Sequence, residues 1–337
     1  YLMSNLKKII TSRKNCKSVW FMRQAGRYLP EFKKIRANNK NFIELCLNSK
    51  LSSEITLQPI KRFDIDSAII FSDILMVPFA LGQNVKFVKG KGPVLDAFNL
   101  ERFHDNNPTS FIKKLEPVYK AIEMTRQKLT KEKSLIAFIG APWTLLIYMF
   151  GAKENNTINF DKIKVQKPNL SIIFNVLIEY LCIHIKKQIE AGADVVQIFD
   201  SWAGLLPTQD LPYYCYEPNL KITEFCKNNK IPTICFPKGI KENYKNFNDI
   251  VKPNGINLDS ELNPVWAKKK LKNVVLQGGL DPKILFLEKE KIEDNASRYF
   301  NAFKGIPYIF NLGHGLLPET DPDKVNELIQ FYRKYKT

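Results

Sequence analysis

The stretch Val195-Val196-Gln197-Ile198-Phe199, running straight into Asp200-Ser201-Trp202-Ala203-Gly204, decides how the rest of the chain is read. Five residues, four of them β-branched or aromatic, are too few for a helix and too apolar for a strand with one wet face. They suit a strand covered on both faces of a parallel sheet. Upstream, residues 170–191 place Ile173, Val176, Leu177, Leu181, Ile185 and Ile189 near the 3.6-residue period of a helix. Downstream, polar and glycine residues stand where the strand ends. The same cycle of short apolar run, polar tip and helical pattern recurs with runs at 18–22, 68–71, 135–140, 195–199, 233–236, 256–258, 274–277 and 308–312. Eight such runs predict a (β/α)8 TIM-type barrel rather than a doubly wound sheet.

With no internal repeat and no linker, the 337 residues read as one barrel domain preceded by an arm at 1–17. At 45% hydrophobic and 25% charged, the chain has the composition of a protein with a sizeable core, which excludes bulk disorder. The apolar stretch 140–152 is too short to cross a bilayer, which takes about 20 residues. Pro117 is expected to kink or delay a helix over 111–129, whereas Asp321-Pro322 begins a final helix well. Six cysteines without a Cys-x-x-Cys pair argue against a disulfide framework or zinc ribbon. The net charge of +17 is read largely as lysine in solvated loops at 36–41, 227–230 and 241–246, with no nucleic-acid module. A polyanionic small substrate is the other use for it.

Barrel chemistry gathers at the C-terminal ends of the strands. There the runs are followed by Arg23-Gln24-Ala25-Gly26-Arg27-Tyr28, Ser72-Asp73, Ala141-Pro142-Trp143-Thr144, Asp200-Ser201, Lys238-Gly239, Asp259, Gly278-Gly279-Leu280-Asp281 and Gly313-His314-Gly315. Arg23 and Arg27 offer two guanidinium forks suited to carboxylates. Asp73, set among apolar neighbours, is either a partner of a rim arginine, a helix cap, or an anion placed to stabilise a cation formed in a reaction. His314, between two glycines, is a candidate donor or proton shuttle. His104 reads as a surface-loop residue and His184 as structural. Tyr148 fits a core position and Ser201 a helix cap. There is no phosphate loop, dinucleotide fingerprint, His-Glu-x-x-His or nucleophile elbow.

These blocks carry a resemblance. Residues 19–31, VWFMRQAGRYLPE, resemble the first signature of the uroporphyrinogen decarboxylase family, and Gly140-Ala141-Pro142-Trp143-Thr144-Leu145 resembles the second. Ile70-Phe71-Ser72-Asp73-Ile74-Leu75, Phe199-Asp200-Ser201-Trp202-Ala203-Gly204 and Asn311-Leu312-Gly313-His314-Gly315 match in order. The resemblance implies a (β/α)8 homodimer that removes the four acetate carboxyls of uroporphyrinogen III, giving coproporphyrinogen III, without cofactor or metal. It assigns substrate binding to Arg23, Arg27, Asp73, Tyr148, Ser201 and His314, and catalysis to the same set without Ser201. Asp73 would meet the pyrrole N–H groups and the reaction's cation. The arginines would hold carboxylates, with one taking part in proton delivery. The chain departs from the family pattern at Asn257 and Ser260 (usually Gly and Trp), at Gly279 (usually Asn), and in the shortened glycine loop at 151–153. A chain beginning at Tyr1 leaves room for a removed presequence, so the location is read as plastid or cytoplasm. The alternatives are a corrinoid- or cobalamin-linked methyltransferase, although the His-x-Cys pair of its zinc site is missing, and a non-catalytic tetrapyrrole or polyanion binder.

Overall fold

The computed structural model describes residues 3–88, 90–155 and 157–336. Seven parallel strands pair neighbour to neighbour in chain order. They are β1 (Ser67–Ile69), β2 (Ser134–Gly140), β3 (Val195–Asp200), β4 (Thr233–Pro237), β5 (Gly255–Leu258), β6 (Val275–Gly278) and β7 (Tyr308–Ile309). Each falls on one of the expected runs. The eighth run, residues 18–22, is a correction: its one β-bridge among the described residues joins Val19 to Phe310. It still closes the barrel. Phe310 N–H donates to Ser18 O at 2.9 Å and Trp20 N–H to Phe310 O at 3.2 Å, while Asp66 N–H donates to Val19 O at 2.9 Å on the other side. Three of its own amides are taken by side chains: Val19 N–H by Asp66 Oδ2 (2.7 Å), Phe21 N–H by Gln24 Oε1 (2.9 Å) and Met22 N–H by Asn311 Oδ1 (3.0 Å). Side-chain acceptors thus replace the ladder on this stave.

Alternate residues along the strands face inward, as the period of two requires. Ile69, Ile136, Val195, Ile234, Val275 and Ile309 form an apolar layer with Trp20. Within the barrel, the Gln277 amide donates to Gln197 Oε1 (3.1 Å) and Asn257 Oδ1 (2.8 Å) and accepts from Trp20 Nε1 (3.0 Å). The arm closes the N-terminal mouth. Its helix, Asn5–Ser12, buries Leu6, Ile9 and Ile10 against the apolar layer, and Gly255 makes room, since a Cβ there would lie 2.7 Å from Ile10 Cδ1.

Around the sheet, helix Leu170–Glu190 lies where the periodicity put it, and Pro322–Lys334 is capped by Asp321, whose carboxylate accepts from Asp323 N–H at 2.9 Å. The helix containing Pro117 starts early, at Pro108, and runs unbroken to Lys128. Asn107 caps it, and the carbonyl of Pro117 itself accepts from Ser49 Oγ at 2.8 Å, so the neighbouring helix packs over the proline. His104 ends a short exposed helix, Leu100–His104, rather than lying in a loop, and His184 is buried with Nδ1 3.0 Å from Tyr119 Oη. The lysine patches are solvated, but those at 227–230 and 241–246 lie largely on helical turns. Two hairpins escaped the sequence reading: Val85–Val88 with Gly92–Leu95, and Lys153–Glu154 with Thr157–Ile158, the latter following Tyr148 closely in the chain. All six cysteines are free.

The span Lys167–Glu190 is long and apolar enough, by length and composition, to cross a bilayer, which the stretch 140–152 is not. Its helix packs on Pro108–Lys128 and on β2, so its apolar residues serve the barrel's outer layer.

The arm is expected to be part of the core rather than an appendage. Ile9→Ala should lower the unfolding free energy in urea by about 2–5 kcal/mol, the range for emptying a buried aliphatic site. A loss below about 0.5 kcal/mol would show that the arm does not plug the barrel.

Candidate functional site

At the C-terminal ends of the staves lies a cavity of about 920 Å³, counting its open mouth. Its apolar lining includes Met22, Phe138, Phe199 and Phe236 at the ends of four staves, together with Ile69, Ile70, Phe71, Ile74 and Phe42. Set on this lining are Arg23, Arg27, Lys238, Asp73, Ser72, Ser201 and His314.

Arg23 and Arg27 reach the cavity because the chain bends sharply after the first stave. Arg23 adopts φ +61°, unusual for a residue with a Cβ, and Gly26 adopts +77° while pressed against Phe71, where a Cβ would lie 2.3 Å from the ring. Gly315 leaves space for the stem of Arg23, since a Cβ there would meet its Cδ at 2.4 Å. Arg27 Nη1 donates to Leu316 O at 3.2 Å. Burial, then the charge of Arg23, pushes the Arg27 guanidinium down to about 10, partly offset by Glu319. It still carries its charge at neutral pH.

Asp73 follows β1. Its Oδ1 accepts from Leu75 N–H at 2.8 Å, an Asx turn into the short helix Met76–Ala80, and no ion pair joins it to an arginine among the described residues. Burial raises its carboxyl's pKa, while the Leu75 amide and the charge of Arg23 pull it back. His314 accepts from Gly315 N–H through Nδ1 at 2.7 Å, which leaves Nε2 as the protonated nitrogen. Burial lowers its pKa to about 4, helped by Lys238, Arg23 and Arg27, so it stands as a neutral donor at pH 7.

Ser201 is held from behind. Asp200, fully inside, accepts from Thr144 Oγ1 (2.7 Å) and Asn219 Nδ2 (3.2 Å); Thr144 Oγ1 in turn accepts from Trp202 N–H (3.2 Å), and Trp143 Nε1 donates to Trp202 O (3.2 Å). Burial raises the Asp200 carboxyl to about 6 despite these bonds. The Gly-Ala-Pro-Trp-Thr block therefore fastens one strand end to the next, and Ser201 caps no helix, because Trp202 is the cap of the turn that follows. Tyr148 differs from the others: it ends helix Pro142–Met149, its ring 6.2 Å from that of Trp202, and it is not among the residues lining the cavity. Burial raises its hydroxyl's pKa, the Trp202 indole N–H lowers it, and the opposing charges of Asp73 and Arg23 reach it, so it stands beside the rim rather than on it.

Sequence reasoning left out Lys238, although its place after a run was a signal, and the inward phenylalanines, which look like ordinary strand residues. No group of three or more His, Cys, Asp or Glu side chains among the described residues is placed to hold a metal ion.

Residues 14–335 match the family described as Uroporphyrinogen decarboxylase (URO-D). Proteins named uroporphyrinogen decarboxylase from Orientia tsutsugamushi (strain Ikeda) and Rickettsia felis are each 40% identical, over 96% of both chains and over 94% and 93% of the two chains respectively. Another from Jannaschia sp. is 38% identical over 94% of each. Among solved structures, a methyltransferase from Methanosarcina mazei superposes with a TM-score of 0.78 at 15% identity, covering 98% of this chain and 97% of its own. A putative vitamin-B12-independent methionine synthase from Listeria monocytogenes gives 0.58 at 12% identity, covering 95% and 98%. These two likenesses concern the barrel alone.

The neutral state of His314 is open to measurement. Its imidazole resonances should titrate with a midpoint near pH 4 rather than the ordinary value of about 6.5. Because the folded value lies below the unfolded one, His314 contributes stability above pH ~6.5 that is lost as the pH falls toward 4. A midpoint at or above 6.5 would refute the neutral assignment.

Proposed function

The chain belongs to the uroporphyrinogen decarboxylase family, and from that premise we propose that it decarboxylates the acetate side chains of uroporphyrinogen III, giving coproporphyrinogen III in tetrapyrrole biosynthesis. The observation that carries the reading is the cavity itself: three cations and one carboxylate around an apolar floor.

The substrate is a flexible macrocycle ringed by acetates and propionates, with pyrrole N–H groups pointing to its middle. Arg23 and Arg27 hold rim carboxylates through charge-assisted hydrogen bonds. Asp73 takes the centre. Oδ1 is bound to Leu75 N–H, and Oδ2 has no protein donor among the described residues, so pyrrole N–H groups supply the bonds that burial withholds. Protonation of a pyrrole ring carbon makes that ring a cation. The C–CO2⁻ bond of the adjacent acetate then breaks, its electron pair entering the ring; CO2 leaves, the exocyclic methylene takes a proton to become methyl, and the ring carbon releases its own. Asp73 lowers the energy of the cation by standing beside it in a poorly solvated site. Arg27, whose guanidinium burial pushes down to about 10, is suited to a part in proton delivery. His314 donates from Nε2, Ser201 serves a carboxylate at the edge, and Tyr148 supports that edge from beside it. We further propose a homodimer acting in the cytoplasm; the plastid reading gains nothing from relatives that are bacterial.

In an anaerobic assay with uroporphyrinogen III, products separated by carboxyl number, the protein should yield the tetracarboxylate. Asp73→Asn should bind the substrate nearly as well while kcat falls about 10²–10³-fold, the range for removing one preorganised electrostatic group. An unchanged kcat would take Asp73 out of the reaction.

A further inference from the structure

We propose that Lys238 is a substrate-binding residue that grips a carboxylate on the side of the macrocycle away from Arg23 and Arg27. The inference rests on the reading of the cavity as a porphyrinogen site and adds a residue to it.

The staves run in the order residues 18–22, β1, β2, β3, β4 and onward to β7, so the first stave and β4 are four apart in a closed ring of eight. Arg23 follows the first, Lys238 follows β4, and both line the cavity. A macrocycle with carboxylates all round its edge, held by cations on one side only, would pivot on Asp73. A cation across the mouth fixes its plane.

Lys238 also lacks a partner of its own. It is half-buried, and among the described residues its ammonium has neither an ion pair nor a hydrogen bond to a protein acceptor. Surface lysines of this chain find carboxylates readily, as Lys245 does with Asp249 at 2.7 Å. A partly buried ammonium without a protein partner leaves a place for a ligand anion to complete the site.

The backbone at Lys238 is clamped. Its N–H donates to Asp200 O at 3.2 Å and its carbonyl accepts from Gly204 N–H at 2.9 Å. Gly239 N–H donates to Asp259 Oδ2 at 2.7 Å, and the same oxygen accepts from Tyr244 Oη at 3.1 Å. Gly204 and Gly239 touch so closely that a Cβ on Gly204 would lie 2.5 Å from the Gly239 backbone. A lysine serving only solubility needs no such frame.

Two readouts test this. Uroporphyrin, the oxidised octacarboxylate, is titrated by fluorescence against the wild type, Lys238→Gln and Lys238→Arg, and steady-state kinetics are run anaerobically on uroporphyrinogen III. Loss of one charged hydrogen bond should weaken Kd and raise KM about 10–100-fold in Lys238→Gln, with kcat within about threefold and Lys238→Arg largely restored. Unchanged Kd and KM in Lys238→Gln would overturn the proposal. So would a Lys238→Arg variant as impaired as Lys238→Gln, because the charge would then not be what matters. A wild type that binds uroporphyrin in a Lys238-dependent way yet turns over no uroporphyrinogen would uphold the cation and sink the decarboxylase reading alone.

Discussion

Closure of the first stave by three backbone bonds and three side-chain acceptors, in place of a regular ladder, is the constraint on which the site depends. Asp66, Gln24 and Asn311 each accept one of its amide hydrogens, and the last of the three bonds falls at Met22. Beyond that point the chain is free of the sheet and turns at once, through Arg23 at φ +61° and Gly26 at +77°. A regular ladder would carry the backbone onward in extended form and point alternate residues away from the axis. Here the device that seals the barrel also brings both arginines to its mouth, and Gly315, just beyond β7, makes room for the first of them.

The cost of this arrangement is electrostatic. Three cationic side chains share one cavity with a single carboxylate. Burial and the charge of Arg23 hold Arg27 below its usual value, and burial with the charges of Lys238, Arg23 and Arg27 does the same to His314. An empty site of this kind works against folding, as sites built for a charged ligand do. A polycarboxylate relieves that repulsion, so its binding energy grows with the number of anionic groups it brings. The apolar floor contributes what the charges cannot: a surface for a flat carbon skeleton and a low local dielectric in which the ion pairs are strong. Asp73 gains most from that dielectric, since among the described residues it is the one carboxylate in the lining.

How much of this was legible in the sequence depended on whether a feature is local. Seven strands could be read because apolar runs, glycine tips and helical periods each leave a pattern within a few residues. The first stave could not be told from the others, because what distinguishes it is a set of hydrogen bonds to Asp66 and Asn311, far away in the chain. Pro117 misled for a related reason: an isolated helix would start after it, but packing of the Ser49 helix over the proline supports the longer one. Arg23, Arg27, Asp73 and His314 stood out at strand ends, whereas Ser201 read as a helix cap and entered the set only through the resemblance. Tyr148 did not earn its place from sequence, and the structure sets it beside the cavity. Lys238 was visible but indistinguishable from the many surface lysines until its neighbours were known.

The departures from the family pattern make local sense in the same terms. Asn257 is buried inside the barrel, where its amide oxygen accepts from Gln277 and its nitrogen donates to Leu258 O at 2.9 Å. A glycine there would leave the Gln277 amide with one acceptor fewer. Room for the asparagine comes from Gly278, where a Cβ would lie 2.7 Å from Asn257 Oδ1. Gly279 is roofed by Tyr299, whose hydroxyl donates to the Gly279 carbonyl at 2.7 Å and whose ring would lie 2.5 Å from an added Cβ. At φ +111° even asparagine is disfavoured. Tyr299 and Gly279 therefore go together: a chain with asparagine at this turn must do without the tyrosine roof. The changes at 257 and 279 are thus coupled to neighbours inside the barrel wall, and neither replaces a residue that lines the cavity.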